Sequence, residues 1–187
     1  MSGVEIGELL IAGVLVILSA FFSSAESAFL ALQNTARLRH LVSMGSQSAV
    51  RVDEMLQKPG RLLSTILLGN NLVNIGFTAL VTAITLSFIK EGTGIAASTA
   101  VATTILLLLG EIVPKTLAVR NPERVAFIFA RPLKVVELML FPVVIILQRI
   151  SDLATFGNRT QDASITEDEL RTLIDFGEAE GQFDPEE

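Results

Sequence analysis

Residues 62–89 run for 28 positions without one charged side chain. About 20 apolar residues cross a bilayer as a helix, and within lipid only a helix or a closed barrel satisfies its own backbone. Two further runs resemble it. Residues 6–32 carry only Glu8 and Glu26 as charges, and residues 92–110 carry none, with apolar character continuing to Val119. The pattern predicts an all-α membrane protein with three transmembrane helices, over about 6–32, 62–89 and 94–119. The first run is too long for a secretory signal, and no small-residue cleavage site follows it.

Composition narrows the chemistry. Half of the residues are hydrophobic, there is no Cys, and His40 is the single histidine. Disulfides and thiolate metal sites are excluded, and one histidine cannot build a zinc site alone. The net charge of −6 conceals two regions. From position 160 onward there are ten acids and one base, whereas residues 1–159 carry thirteen bases and ten acids. We divide the chain accordingly into a transmembrane domain, 1–159, and an acidic cytoplasmic helical segment, 160–187.

Lys and Arg in short connections set orientation. Arg37, Arg39, Arg51, Lys58 and Arg61 lie between the first two spans, and Lys115, Arg120, Arg124, Arg131 and Lys134 follow the third. The N-terminal tail has Glu5 and Glu8 and no base. The rule predicts a multi-pass protein of the plasma (inner) membrane, N-terminus outside and C-terminus in the cytoplasm. Residues 35–58 read as one or two short juxtamembrane helices ended by Pro59-Gly60. Residues 123–150 read as an amphipathic interfacial helix kinked at Pro132 and Pro142, with Arg124, Arg131, Lys134, Glu137 and Gln148 on one side. A fourth span is the alternative for that segment. Beyond Ala163, Thr166 and Glu169 form a capping-box pattern ahead of a short acidic helix. The chain then stops at Glu187 in charged sequence, which reads as an end before a cytoplasmic partner domain.

Three polar clusters interrupt the spans. They are Ser23-Ser24-Ala25-Glu26-Ser27, Asn70-Asn71 with Asn74 one turn on, and Gly110-Glu111-Ile112-Val113-Pro114-Lys115. Intramembrane polar and ionisable residues are costly and functional by default. Ser23 lies ten residues before Gln33, Asn70 nine after Arg61, and Glu111 nine before Arg120. Each is therefore about 14 Å from the cytoplasmic end of its helix, so three helices can bring their clusters to one level. Pro114 has no N–H, which deprives the Gly110 carbonyl of its helical donor. A local break at Gly110, with its carbonyl aimed at a cation, is a known transporter device. Ser19, Ser23 and Ser27 share a helix face. Thr78, Thr82 and Thr85, with Thr99 and Thr103 opposite, predict a hydrophilic vestibule toward the exterior.

Each residue has a plainer reading as well. Membrane serines commonly bond their own helix, and this applies first to Ser24. Asparagines serve as interhelical glue, which fits Asn71 as well as ligation does. Glu26 either touches a cation or pairs with Lys115. Glu111 is the hardest to explain without a cation. Hydroxyls, amide oxygens, a carbonyl and a carboxylate are hard donors that suit Mg²⁺, Ca²⁺ or Na⁺. The functional expectation is a cation transporter. The alternative is a cation-binding membrane regulator that moves no ion itself. No nucleophile accompanies the acids, so an enzyme is not expected, and neither is a nucleic-acid partner.

Phe21-Phe22-Ser23-Ser24-Ala25-Glu26-Ser27-Ala28, Gly69-Asn70-Asn71-Leu72-Val73-Asn74 and Gly110-Glu111-Ile112-Val113-Pro114-Lys115-Thr116 resemble the signature stretches of the cyclin M / CorC family of Mg²⁺ transporters, in the same order and spacing. The resemblance implies a homodimer of three-span subunits in the bilayer and Mg²⁺ efflux proposed to be coupled to Na⁺ entry. It also implies cation ligation by Ser23, Asn70, the Gly110 carbonyl and Glu111, with Ser27 as an addition. Ser24, Glu26, Asn71, Asn74, Pro114 and Lys115 would support them. Family members continue into a pair of CBS modules that bind ATP. That pair is absent from this chain, so nucleotide regulation is not expected of it. In a dimer, Asp162, Glu167, Asp168, Glu169, Asp175, Glu178 and Glu180 on facing helices would repel one another until Mg²⁺ screened them, making the acidic segment an Mg²⁺ sensor.

Overall fold

The computed structural model describes residues 3–88 and 92–154. The proposed acidic segment, with Glu167, Asp168, Glu169, Asp175, Glu178 and Glu180, lies outside the described residues, as does the boundary at 159/160. The chain divides into two compact units at Gln148/Arg149, and the first contains all three membrane-length helices. The elements are α1 (Gly3–Leu32), α2 (Ala36–Ser43), α3 (Gln47–Leu56), α4 (Pro59–Phe88), α5 (Gly92–Ile105), a π-helical segment (Leu106–Ile112), α6 (Val113–Arg120) and α7 (Pro122–Ala154).

Three helical stretches are long and apolar enough to cross a membrane: Ile6–Leu32, Pro59–Ser87 and Ser98–Arg120. They match the spans expected from the charge-free runs. The second begins earlier than its first apolar residue because Pro59 opens α4, where its missing N–H costs nothing and its fixed φ suits a first helical position. Pro59-Gly60 therefore starts a helix as well as ending the previous one. α7 runs helically through both Pro132 and Pro142 and is not among the three spans.

Local chemistry places the joints. Asn34 at φ 60° follows α1, a left-handed position that asparagine tolerates. The Thr35 side chain then caps α2 by accepting from the Leu38 N–H. Gly45 at φ 79° closes α2, and Ser46 caps α3 through the Ala49 N–H. The juxtamembrane region is thus two helices. Their buried faces, Leu38 on α2 and Ala49, Val52 and Met55 on α3, join Phe29 and Leu32 of α1, Leu62 and Ile66 of α4, and Ala126, Ala130 and Leu133 of α7 in one apolar cluster. A second cluster lies further along the spans, with Ala12 of α1, Phe77 of α4, Ala102 of α5 and Leu106. On the third span the polar stretch Gly110–Lys115 falls between Leu106 of the second cluster and Ala118 of the first, whereas on α1 and α4 Phe22, Ala25 and Val73 of the first cluster interleave with the polar residues.

Two glycines permit the close approach of the spans. A Cβ on Gly69 would lie 2.4 Å from the Phe22 ring, and one on Gly110 would lie 2.8 Å from Ser19 Oγ. Each glycine immediately precedes a polar residue of interest, Asn70 or Glu111. Any larger residue would hold α4 or the π segment away from α1.

Candidate cation site

The site is assembled around Ser19, which is fully buried. Its hydroxyl lies 2.8 Å from Asn74 Oδ1, 3.4 Å from Asn70 Oδ1 and 3.4 Å from the Gly110 carbonyl. A serine hydroxyl has one hydrogen to give, so three acceptor oxygens from two other elements gather on a single donor. The orientation of the Asn74 amide is set from both ends: its oxygen faces Ser19, and its Nδ2 donates to Glu111 Oε1 at 2.9 Å. α1, α4 and the π segment are thereby linked through one chain of side chains, Ser19–Asn74–Glu111.

The backbone around Gly110 is widened rather than broken. Val113 donates its N–H to Leu108 O, five residues back, and the residues on either side of the segment keep right-handed helical dihedrals. The expected interruption at Gly110 is corrected to a π segment. Pro114 accounts for where it ends. An i+4 bond to Gly110 and an i+5 bond to Leu109 would both need the N–H that Pro114 lacks. π segments recur at functional sites because they reorient carbonyls while the helix continues.

One turn along α1 from Ser19, on the same face, is Ser23. It is fully buried, and its Oγ has no hydrogen-bond partner among the described residues. Buried polar groups are nearly always satisfied, which sets this hydroxyl apart from the others on α1. Glu111 pairs with no Lys or Arg among the described residues. The nearby base is committed elsewhere, since Lys115 Nζ lies 2.9 Å from Glu26 Oε2. Of the two readings of Glu26, the structure realises the ion pair. No group of three or more His, Cys, Asp or Glu side chains able to hold a metal occurs among the described residues. The donor set is therefore neutral oxygens with one carboxylate.

A model of the cyclin M transmembrane N-terminal domain matches residues 10–187. The chain belongs to the cyclin M transmembrane family. It is 37% identical over 162 residues to an inner membrane protein of Escherichia coli, YfjD, covering 84% of this chain and 37% of that protein. It is 38% identical over 182 residues to a chloroplastic DUF21 domain-containing protein of Arabidopsis thaliana, covering 95% of this chain and 27% of the relative. It is 30% identical over 201 residues to the protein YhdT of Bacillus subtilis, covering 98% and 43%. The chain spans between a quarter and a half of the length of these relatives. The three spans and the inner-membrane relative make this cyclin M domain a multi-pass membrane protein.

Within this cyclin M domain, the structure brings Asn70, Asn74, Gly110 and Glu111 together, with Ser23 on the serine face that Ser19 shares. Ser24 and Ser27 are half-buried and make no side-chain hydrogen bond among the described residues. Asn71 is exposed and stands apart, in a groove of about 430 Å³ that it lines with Asn74, Ile75, Thr78 and Ala79. Thr78, Thr82 and Thr85 donate to the carbonyls of Asn74, Thr78 and Val81 on their own helix, which commits each hydrogen and leaves each hydroxyl oxygen able to accept.

Sequence reasoning underrates two residues. Ser19 is visible there only as a face-mate of Ser23, and no motif distinguishes it from an ordinary membrane serine. Helical periodicity places Glu137 with the exposed charges of α7, yet only 4% of it is exposed. It turns inward to Arg61 Nε at 2.5 Å, with Lys134 Nζ at 3.1 Å, while the Arg61 guanidinium also lies 4.5 Å from the centre of the Phe141 ring.

Proposed function

We propose that the chain is the membrane part of a Mg²⁺ transporter, exporting Mg²⁺ from the cytoplasm with Na⁺ coupling, and not an enzyme. The observation that carries this reading is the surplus of oxygen acceptors between the spans. Asn70 Oδ1, Asn74 Oδ1 and the Gly110 carbonyl share one hydroxyl hydrogen, beside a carboxylate with no basic partner among the described residues. In low-polarity surroundings such an arrangement is completed by positive charge. Hard oxygen donors select Mg²⁺, Ca²⁺ or Na⁺ over softer metals. Family membership adds weight to Mg²⁺.

Mg²⁺ gives up water reluctantly and demands near-octahedral oxygens. Ser23, Asn70, the Gly110 carbonyl and Glu111 would replace part of its hydration shell, and retained waters would supply the rest. One carboxylate among neutral oxygens gives an exchangeable site, which suits transport. The π segment, already displaced from regular α-helical register, is the natural element to shift between inward- and outward-facing states. Na⁺ on overlapping oxygens would drive the return, and two copies of the chain would form the working unit.

The test is Mg²⁺ flux into vesicles carrying the purified protein, wild type against Glu111→Ala. Flux that depends on Glu111 is expected. Equal flux in both would end the proposal, and ion binding without flux in the wild type would favour a regulator of another transporter.

A further inference from the structure

Ser19 sits at the crossing of the three spans, fully buried, with its hydroxyl against oxygens of both other elements. Its distances identify what it does there. The contact to Asn74 Oδ1, at 2.8 Å, is an ordinary hydrogen bond that takes the hydroxyl hydrogen, whereas Asn70 Oδ1 and Gly110 O approach the same oxygen to 3.4 Å, beyond the usual O–H···O range. Carbonyl-type oxygens repel one another unless a proton or a cation lies among them. The Ser19 hydroxyl holds Asn74 Oδ1 directly and stands beside the other two oxygens. The same hydroxyl fixes the Asn74 amide that in turn holds Glu111 Oε1. Packing reinforces the pin, because Gly110 leaves no room for a Cβ beside Ser19 Oγ.

We propose that Ser19 is a specificity-determining positioning residue that keeps the oxygens of the cation site at the spacing of a small divalent ion, favouring Mg²⁺ over Ca²⁺. The inference rests on the cation-site reading above. Mg²⁺ needs oxygens at about 2.0–2.1 Å in near-octahedral order, while Ca²⁺ accepts about 2.3–2.6 Å and irregular geometry. Without the Ser19 hydroxyl the Asn74 amide and the Glu111 carboxylate it holds lose their anchor on α1, and the pocket relaxes outward. That penalises the small, rigidly coordinated ion far more than the large, permissive one.

The experiment is calorimetric titration of the purified full chain with Mg²⁺ alone and with Ca²⁺ alone, for wild type and Ser19→Ala. Alanine keeps the Cβ and the helix packing and removes only the hydroxyl. Supporting residues of a metal site contribute about 10–100-fold in affinity. Ser19→Ala should therefore lose about tenfold or more for Mg²⁺ and at most about threefold for Ca²⁺. An unchanged Mg²⁺ affinity, or equal losses for both ions, overturns the inference. If Ser19→Ala does not stay monodisperse, Gly110→Ala wedges the same contact from the opposite helix and must shift the ratio in the same direction; an unchanged ratio there overturns it equally. A wild type that binds neither ion saturably removes the cation-site reading itself, an outcome distinct from a bound ion whose selectivity ignores Ser19.

Discussion

Glu111 and Glu137 are both carboxylates drawn out of free solvent, and their surroundings are opposite. Glu137, on α7, is met by Arg61 from α4 and Lys134 from its own helix, and Arg61 is stacked against Phe141. Its charge is answered within the protein. Glu111, in a span, is met by a neutral amide, while the neighbouring base Lys115 is bound to Glu26. The first arrangement is a closed structural joint tying α7 to the start of α4. The second is open by one positive charge. Charge compensation by the protein's own side chains, more than depth or burial, separates the two carboxylates.

The sharpest way to break this contrast is to neutralise each side in turn. Glu111→Gln should abolish saturable Mg²⁺ binding over the range in which the wild type saturates. It should leave thermal stability unchanged or higher, since a carboxylate in a span costs a few kcal/mol. Glu137→Ala should do the reverse. Removing one partner of a buried pair costs about 3–5 kcal/mol, and partial hydration of Arg61 points to the lower end, about 3 kcal/mol. Denaturation in detergent would measure that loss, with Mg²⁺ affinity retained in the folded fraction. Stability lost by the Glu111 variant and kept by the Glu137 variant would invert the comparison.

Smaller effects sharpen it. Ser23→Ala removes a buried hydroxyl that has no hydrogen-bond partner among the described residues. A structural hydroxyl in that state is a liability of about 1 kcal/mol, so the variant should be as stable as wild type or slightly more so. A titration should nonetheless show Mg²⁺ affinity down by about tenfold. Lys115→Ala opens the partly exposed pair with Glu26. A thermal melt should register about 1 kcal/mol or less.

The three spans are legible in the sequence because long charge-free runs have few other uses. The shared depth of the polar clusters is legible because helical rise is constant, and the structure does join Asn70, Asn74, Gly110 and Glu111. The π register is not. Gly110 and Pro114 announce a disturbed hydrogen-bond ladder, but whether the helix breaks or widens depends on how closely α1 packs against it. Glu137 misleads for a related reason. Periodicity along α7 groups it with Arg131 and Lys134, and only Arg61, distant in sequence, turns it inward. The importance of Ser19 likewise comes from partners 51 to 91 residues away in sequence.

The most direct measurement is an anomalous-scattering map of the protein crystallised with Mn²⁺, which shares the octahedral oxygen preference of Mg²⁺. The cation-site reading predicts a peak between the spans within coordinating distance of Asn70 Oδ1, the Gly110 carbonyl and Glu111, lost on added Mg²⁺. A map with its Mn²⁺ peaks elsewhere and none beside Glu111 would contradict it.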